Sequence, residues 1–513
     1  MELTLYIISL LCSLAAFGMA LIKFMHFFQL NSYRAKIHSK WLLQNMDKAY
    51  INIIAGIILL VLSVFQSLWT GIIYILVSII ALAFSVPKKA KKPLVYTMRV
   101  KRMLITTAVI YLAILILGIY FGFALISGAL FVLVAPAWVM AANLINRPIE
   151  KAINNYYIND AKKLISSSNA TVIGITGSYG KTSMKYYLAA LLKAKYNVLM
   201  TPESFNTPMG VVMTIRSSLN ALHEVFICEM GAKRVGEIKE ICDIVNPDAG
   251  IITSIGPQHL ETFKSLDNIK KTKFELADSL RNGGMLYLNG NDENIAAFKG
   301  DRQNISYSVN GSAAYNATDL CLTDKGTKFT VTTPKGETCE FTTKLIGMHN
   351  VLNITGAIAV ANTMGIELKS LKTHVAKLES VPHRLELINR GRDIIIDDAY
   401  NSNPSGTKAA LETLSYFDGM KILLTPGMVE LGEKQDELNK EFGANAAKVC
   451  DYVILVGERQ AKPIYEGLKS MDYPDDKIFV ANNLNEAISH AYAINSKMQR
   501  KIILLENDLP DNY

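Results

Sequence analysis

The chain has 513 residues, half of them hydrophobic, and a formal net charge of +8. That length with so apolar a composition excludes a single small water-soluble domain and points to about three domains. Residues 1–150 carry 13 Lys/Arg against 3 Asp/Glu and the remaining 363 carry 40 against 42, so the basicity belongs to the N-terminal third and the rest offers no charge argument for nucleic acid.

Residues 3–22 form an apolar run long enough to span a bilayer, and they lack the basic start and small-residue cleavage site of a secretory signal. Residues 51–86 are apolar except near 66–71, which predicts two helices in a tight hairpin, and 103–120 with 123–144 predict a second hairpin. The expectation is five transmembrane helices in a membrane domain over residues 1–148. Two connections are basic. Residues 31–48 hold Arg34, Lys36, Lys40 and Lys48 against Asp47, and residues 87–102 hold Lys88, Lys89, Lys91, Lys92, Arg99, Lys101 and Arg102 with no acid. The positive-inside rule puts both in the cytoplasm, so the N-terminus lies outside and the fifth helix delivers the rest of the chain to the cytoplasm. A topology signal is the default reading of these loops; the alternative is that 87–102 also holds an anionic lipid head group or a pyrophosphate. No Asp or Glu interrupts the apolar runs, which disfavours a proton or ion pathway.

A polar helix is expected over 149–168, followed by a short apolar strand at 171–175 and then Gly174-Ile175-Thr176-Gly177-Ser178-Tyr179-Gly180-Lys181-Thr182-Ser183, opening a helix to about 194. Strand, glycine loop and helix in that order close backbone N–H groups around phosphate oxygens. The lysine reaches the β- and γ-phosphates and the hydroxyl holds magnesium. The usual first glycine of such a loop falls at 175, where this chain has Ile175 flanked by Gly174 and Gly177. A nucleoside triphosphate is the implied ligand.

Strands and helices then alternate, as in α/β domains. Residues 225–228 read as a buried strand ending in Glu229, and 249–255 as another leading to His259; their C-terminal ends are where an open sheet places ligands. Residues 301–345 alternate and read as a small antiparallel elaboration. A second α/β unit starts near Arg384, with strands at 393–397, 421–425, 452–456 and 501–505. The six cysteines are scattered without metal or redox spacing and read as reduced thiols of a cytosolic body.

These segments resemble the Mur ligase family, and within it the D-alanyl-D-alanine-adding type. The pieces fall in family order: the glycine loop through Lys181-Thr182-Ser183; Asn206 before Gly210; Glu229-Met230-Gly231-Ala232; His259-Leu260-Glu261; Lys273-Phe274-Glu275; Gly347-Met348-His349-Asn350 with Asn353; His383-Arg384-Leu385-Glu386; residues 397–404; and Glu430-Leu431-Gly432. The implied fold class is an α-helical transmembrane N-terminal region followed by α/β, with a P-loop central ATPase domain (149–382) and a Rossmann-like C-terminal domain (383–513). The implied activity is that of an ATP-dependent amide-bond ligase, in which a carboxylate attacks the γ-phosphate to give an acyl phosphate and an amine then displaces phosphate. The resemblance gives ATP and Mg2+ as cofactors. Gly177, Ser178, Tyr179, Gly180, Lys181, Thr182 and Ser183 bind phosphates; Thr182 and Glu229 hold a first magnesium; and His259 holds a second, together with Lys273 if carbamylated. Asn350 and Asn353 face adenine, Arg384 reaches the γ-phosphate and Asp398 meets the ribose.

Three departures stand out. Membrane helices replace the small soluble domain that grips the nucleotide-linked substrate, Thr425-Pro426-Gly427-Met428 replaces a Leu-Gly-Asp-Met type turn, and the chain ends on Leu504-Leu505-Glu506-Asn507-Asp508-Leu509-Pro510 where relatives have a Gly-Ser-Arg or Gly-Ser-Lys element. The expected partners are therefore a peptide-bearing cell-envelope precursor, nucleotide- or lipid-linked, an amino acid or dipeptide, the lipid bilayer and envelope-synthesis proteins of the inner membrane. Other readings are a polyglutamate- or capsule-type ligase, a membrane transporter or sensor with a P-loop ATPase, and a non-catalytic scaffold. Five intact polar site residues speak against the last.

Overall fold

The structure, a computed structural model, describes residues 3–65, 67–86, 92–298, 300–400, 402–457, 461–496 and 499–507. Gln66, Lys88, Lys89, Lys91, Asn401 and the tail 508–513 lie outside the described residues. The chain forms two compact units, divided between Asn155 and Tyr156.

The N-terminal unit is helical: α1 (Leu3–Leu30), α2 (Ala35–Gln44), α3 (Tyr50–Val64), α4 (Leu68–Ser85), α5 (Met98–Phe121), α6 (Ala124–Leu133) and α7 (Ala135–Ser166). Among the described residues three helices, α1, α4 and α5, are long and apolar enough to cross a membrane, and α6 with α7 adds a fourth span if that pair, bent by 87°, is counted as one. Of the five expected segments, the pair predicted to break near 66–71 is present as α3 and α4, with α3 the shorter apolar helix. Helix α3 has 15 residues, about 22 Å at 1.5 Å per residue, against a hydrocarbon core of about 30 Å. It stops early because Ser67 and Thr70 form a capping box that starts α4. The last hairpin arm breaks where Val134 leaves helical geometry. The separate polar helix expected at 149–168 is the continuation of α7, which runs through Pro148.

This unit has an apolar core that includes Phe17, Phe24, Met25 and Phe131, with small polar residues among the buried positions, and an exterior that is also apolar. Ser9, Ser13, Asn52, Ser78, Ser85 and Thr107 are buried, while Ile7, Leu11, Val61, Leu76, Ile80 and Ile116 are exposed. Small residues let the helices approach closely, with Gly56 against the Leu133 backbone and Gly128 against Ser13.

The second unit holds two sheets. The first contains β1 (Thr171–Thr176), β2 (Val198–Met200), β3 (Val225–Glu229), β4 (Ala249–Ile252), β5 (Met285–Asn289), β6 (Asn304–Val309), β7 (Tyr315–Thr323), β8 (Gly326–Thr332) and β9 (Thr338–Thr343), in the order β2-β3-β1-β4-β5-β6-β7-β8-β9. Pairing is parallel from β2 to β7 and antiparallel from β7 to β9. The elaboration expected at 301–345 is thus not separate: it extends the main sheet, and only its outer half is antiparallel. Alternate residues of β1 enter the two cores. Ile173 and Ile175 meet α8 (Lys181–Leu192) and helix Met348–Thr363 on one face, and Val172 meets helices Glu237–Val245 and Leu266–Asp278 on the other. Burial on both faces explains the unbroken apolar runs of β1 and β3.

The second sheet contains β10 (Glu386–Arg390), β11 (Asp393–Asp398), β12 (Met420–Thr425), β13 (Tyr452–Val456), β14 (Ile478–Ala481) and β15 (Lys501–Glu506), ordered β10-β11-β15-β12-β13-β14. Only β10 is antiparallel. Both short strands β10 and β14 are sheet edges: β10 lacks an apolar run, and β14, though apolar as Ile478-Phe479-Val480-Ala481, is only four residues long.

Candidate active site

The central strand β1 runs into the glycine loop, and its neighbours β3 and β4 end beside it. The loop is pinned from below: Ser178 N–H donates to the Ser254 carbonyl (2.8 Å), Tyr179 N–H to Ser254 Oγ (2.7 Å), and Ser178 Oγ to the Gly256 carbonyl (3.0 Å). Gly177 has φ 155° and its missing Cβ would collide with Thr253 Oγ1. Gly180, at φ 77°, sits at the start of α8, with Asn353 Oδ1 3.1 Å from where a Cβ would stand. Glycine is required at both places, one for room and the other for its left-handed backbone.

Lys181 Nζ folds back onto the carbonyls of Gly177 (2.7 Å) and Ser178 (3.1 Å). Burial, with Arg384 adding repulsion against the pull of Glu229, lowers its amine to about 8. Glu229 at the end of β3 is buried and receives Thr182 Oγ1 (3.2 Å) and Asn206 Nδ2 (2.9 Å) on Oε1. Its Oε2 lies 3.0 Å from the ammonium of Lys185, which is itself fully buried. Lys185 was not anticipated. Its position four residues after Lys181 on one helix puts both on the same face, a signal that spacing alone offered.

His259 follows β4 in a left-handed conformation (φ 51°) and pairs through Nδ1 with Glu430 of the second sheet's loops, which also holds Lys233 at 3.1 Å. Burial lowers the His259 imidazole, against the pull of Glu430. Burial raises the Glu430 carboxyl, but the hydrogen bond from His259 and the charge of Lys233 outweigh it and bring it to about 2. A carboxylate partner places the proton on Nδ1 and leaves Nε2 as a lone-pair donor. Lys273, on helix Leu266–Asp278, is buried; desolvation, then the Lys181 charge, drives its amine well below the usual lysine range. A neutral amine is the form that can react with carbon dioxide.

Arg384 stacks on the Tyr400 ring at 4.2 Å, and Tyr400 hydroxyl donates to Ser204 across the two α/β parts. Asp398 and Glu506 end the paired strands β11 and β15 side by side. Burial raises the Asp398 carboxyl to about 6, with Arg384 opposing, and holds Glu506 well above the carboxylate range with Asp398 adding to the rise. Asn350 uses its amide internally, accepting from Tyr187 hydroxyl (2.7 Å) and donating to the Ile346 carbonyl (2.9 Å). Thus Lys181, Thr182, Glu229, His259, Lys273, Arg384 and Asn353 surround the loop, whereas Asn350 stands behind it.

The donor set fits a hard divalent cation: a threonine hydroxyl already on a buried carboxylate, with a neutral imidazole that feels the charge of Lys181. On the other oxygen of the carboxylate, Lys185 supplies a countercharge to Glu229.

Comparison with known proteins agrees. Residues 175–361 match the Mur ligase middle domain and residues 383–505 the Mur ligase, glutamate ligase domain. The UDP-N-acetylmuramoyl-tripeptide–D-alanyl-D-alanine ligase of Escherichia coli is 30% identical over 340 residues, 63% of this chain and 75% of that protein. The corresponding enzyme of Bacillus subtilis is 33% identical over 287 residues, 55% of this chain and 62% of its own. Among solved structures, MurF from Acinetobacter baumannii superposes with a TM-score of 0.64 at 26% identity, covering 69% of this chain and 77% of that one. The glycine loop, its carboxylate and the matched sequence thus agree, and this chain belongs to the Mur ligase family of ATP-dependent ligases.

Proposed function

We propose that the protein adds D-alanyl-D-alanine, or a related amino acid or dipeptide, to the peptide of a cell-wall precursor at the cytoplasmic face of the membrane, with residues 1–148 as a membrane domain, 149–382 binding ATP and 383–513 receiving the amine. The carrying observation is the approach of Lys181 and Arg384 at one phosphate-shaped loop, where their like charges oppose one another. Such a pair is stabilised only when several negative charges arrive together, as when a carboxylate meets a triphosphate.

In this reading Lys181 leaves the Gly177 and Ser178 carbonyls to bind the β- and γ-phosphates. Arg384, steadied by Tyr400, neutralises charge on the transferring phosphoryl group. The substrate carboxylate attacks phosphorus to form the acyl phosphate and ADP; the amine then attacks the acyl carbon, and phosphate leaves with the C–O bond. A first magnesium, on Thr182 and Glu229, and a second, on His259, would neutralise the phosphate oxygens. Lys273, carbamylated, would complete the anionic side of the second site. Asn353 and Asp398 are placed toward the nucleoside, and the remaining loop residues Ser178, Tyr179 and Ser183 toward phosphate.

Membrane seating rests on the apolar exterior of α1 to α6, with residues 31–48 and 92–102 on the cytoplasmic side by the positive-inside rule. The test is ADP release by detergent-purified full chain with Mg2+ and ATP. Nucleotide-linked and lipid-linked muramoyl peptides and a glutamate oligomer are crossed with D-alanyl-D-alanine, D-amino acids and glutamate. Turnover that requires both an acceptor and an amine, with the amide confirmed by mass, supports the reading and names the substrates. ADP release indifferent to both overturns it in favour of an ATP-driven pump or sensor.

A further inference from the structure

We infer that Glu430 is a positioning residue for the second metal site, so that metal binding at His259 is linked to the seating of the C-terminal α/β part on the ATP-binding part. This inference rests on the proposed role of His259 as a metal ligand.

His259 and Glu430 lie 171 residues apart and come from different sheets. Both are non-glycine residues in left-handed backbone, at φ 51° and 63°, a conformation that persists only where the surroundings hold it. The Glu430 loop is held firmly. Asn439 accepts from Met428 N–H (2.8 Å) and donates to the Met428 carbonyl (3.0 Å), and Met428 and Leu431 are buried. Gly432, at φ 64°, lets the loop lie against the backbone of Leu260 and Glu261, the residues that follow His259. Lys233 Nζ donates to both carboxylate oxygens of Glu430, at 3.1 Å to Oε1 and 3.4 Å to Oε2, and Oε2 also faces His259 Nδ1. A carboxylate on Nδ1 fixes the tautomer and ring orientation and raises the basicity of Nε2, as outer partners of metal-bound histidines do. This partner comes from the part of the chain that also carries Arg384, so the same seating brings the phosphate-binding guanidinium and the oriented imidazole. Linkage is reciprocal: metal at His259 favours the seated arrangement as much as seating favours metal.

The test is a Mn2+ titration followed by electron paramagnetic resonance, on detergent-solubilised full chain with a non-hydrolysable ATP analogue. Wild type is expected to bind two Mn2+. Glu430→Gln, which keeps the shape, and Glu430→Ala should weaken only the second by about 10- to 100-fold, leaving the first unchanged as a check on folding. His259→Ala should abolish the second. Lys233→Ala, which breaks the exposed ion pair but leaves the His259 contact, should shift it by no more than about fivefold. Second-site affinity unchanged in both Glu430 variants, with ligase turnover and two Mn2+ in wild type, overturns the inference alone. A single Mn2+ in wild type overturns it together with the metal role of His259.

Discussion

Replacing Lys185 with methionine tests how the phosphate site is held before substrate arrives. Lys185 and Glu229 are both buried, 3.0 Å apart. Removing one partner of such a pair leaves an uncompensated charge and costs about 3–5 kcal/mol. Thr182 and Asn206 still donate to Glu229 in the variant, which puts the expected loss near the lower end, about 3 kcal/mol. At about 2.1 cal/mol/K per residue over the roughly 350 residues of this unit, that is a fall of about 4 °C in melting temperature. Magnesium at about a hundred times its dissociation constant stabilises either folded form by about 2.7 kcal/mol, and the gain is larger for the variant, where no ammonium competes with the cation for Glu229. Differential scanning fluorimetry of the detergent-solubilised chain, in EDTA and in excess Mg2+, should therefore show that drop for Lys185→Met in EDTA and a smaller one in Mg2+. A variant that melts with wild type in EDTA, or falls equally in both buffers, would refute the view of Lys185 as a countercharge that competes with magnesium for Glu229.

Other substitutions probe the remaining parts of the site. Gly177→Ala drives a Cβ into Thr253 Oγ1 and to 3.0 Å from Ser254 N, the residue that pins the loop; ATP binding by isothermal titration should weaken at least about tenfold, equivalent to about 1.4 kcal/mol, while the far-ultraviolet circular dichroism stays unchanged. Asp398 is raised to about 6 in the fold, so the folded chain holds a proton that the unfolded chain has lost, and stability falls as pH rises from about 4 to 6 and levels above that. Asp398→Asn lacks this loss. Its advantage should grow through that window to at most about 3 kcal/mol, since each tenfold change in proton affinity is worth about 1.4 kcal/mol; thermal melts at pH 5 and 7.5 that show an equal difference would contradict the burial argument. Lys181→Ala should abolish ATP-dependent turnover, measured as ADP release. A single cysteine at Ser39, in an otherwise cysteine-free chain, should react with an impermeant maleimide only in inverted vesicles; labelling in intact cells would reverse the proposed orientation.

Local features were legible in the residues alone. The glycine loop announces itself because a phosphate cradle needs glycine, lysine and hydroxyl within a few positions of a strand, and all of these are neighbours in the chain. The buried strands β1 and β3 and the strand-end carboxylate Glu229 are equally visible, since parallel strands buried on both faces leave continuous apolar runs. Hydropathy found the apolar N-terminal segments and the break near 66–71, but not that Val134 would break the last arm, because apolar length does not report where packing ends a helix.

Long-range pairings emerge only in the folded chain. Nothing in the spacing of His259 and Glu430, or of Asp398 and Glu506, says that they meet. Contact between residues so far apart depends on strand order and on how the second sheet's loops close over the first, which local propensity does not encode. Residue order alone was enough to reveal a phosphate-binding α/β machine behind an apolar, basic-looped N-terminus. Which acids and bases face one another there was left to the fold, since burial and distance, rather than residue type, set the charge each group carries.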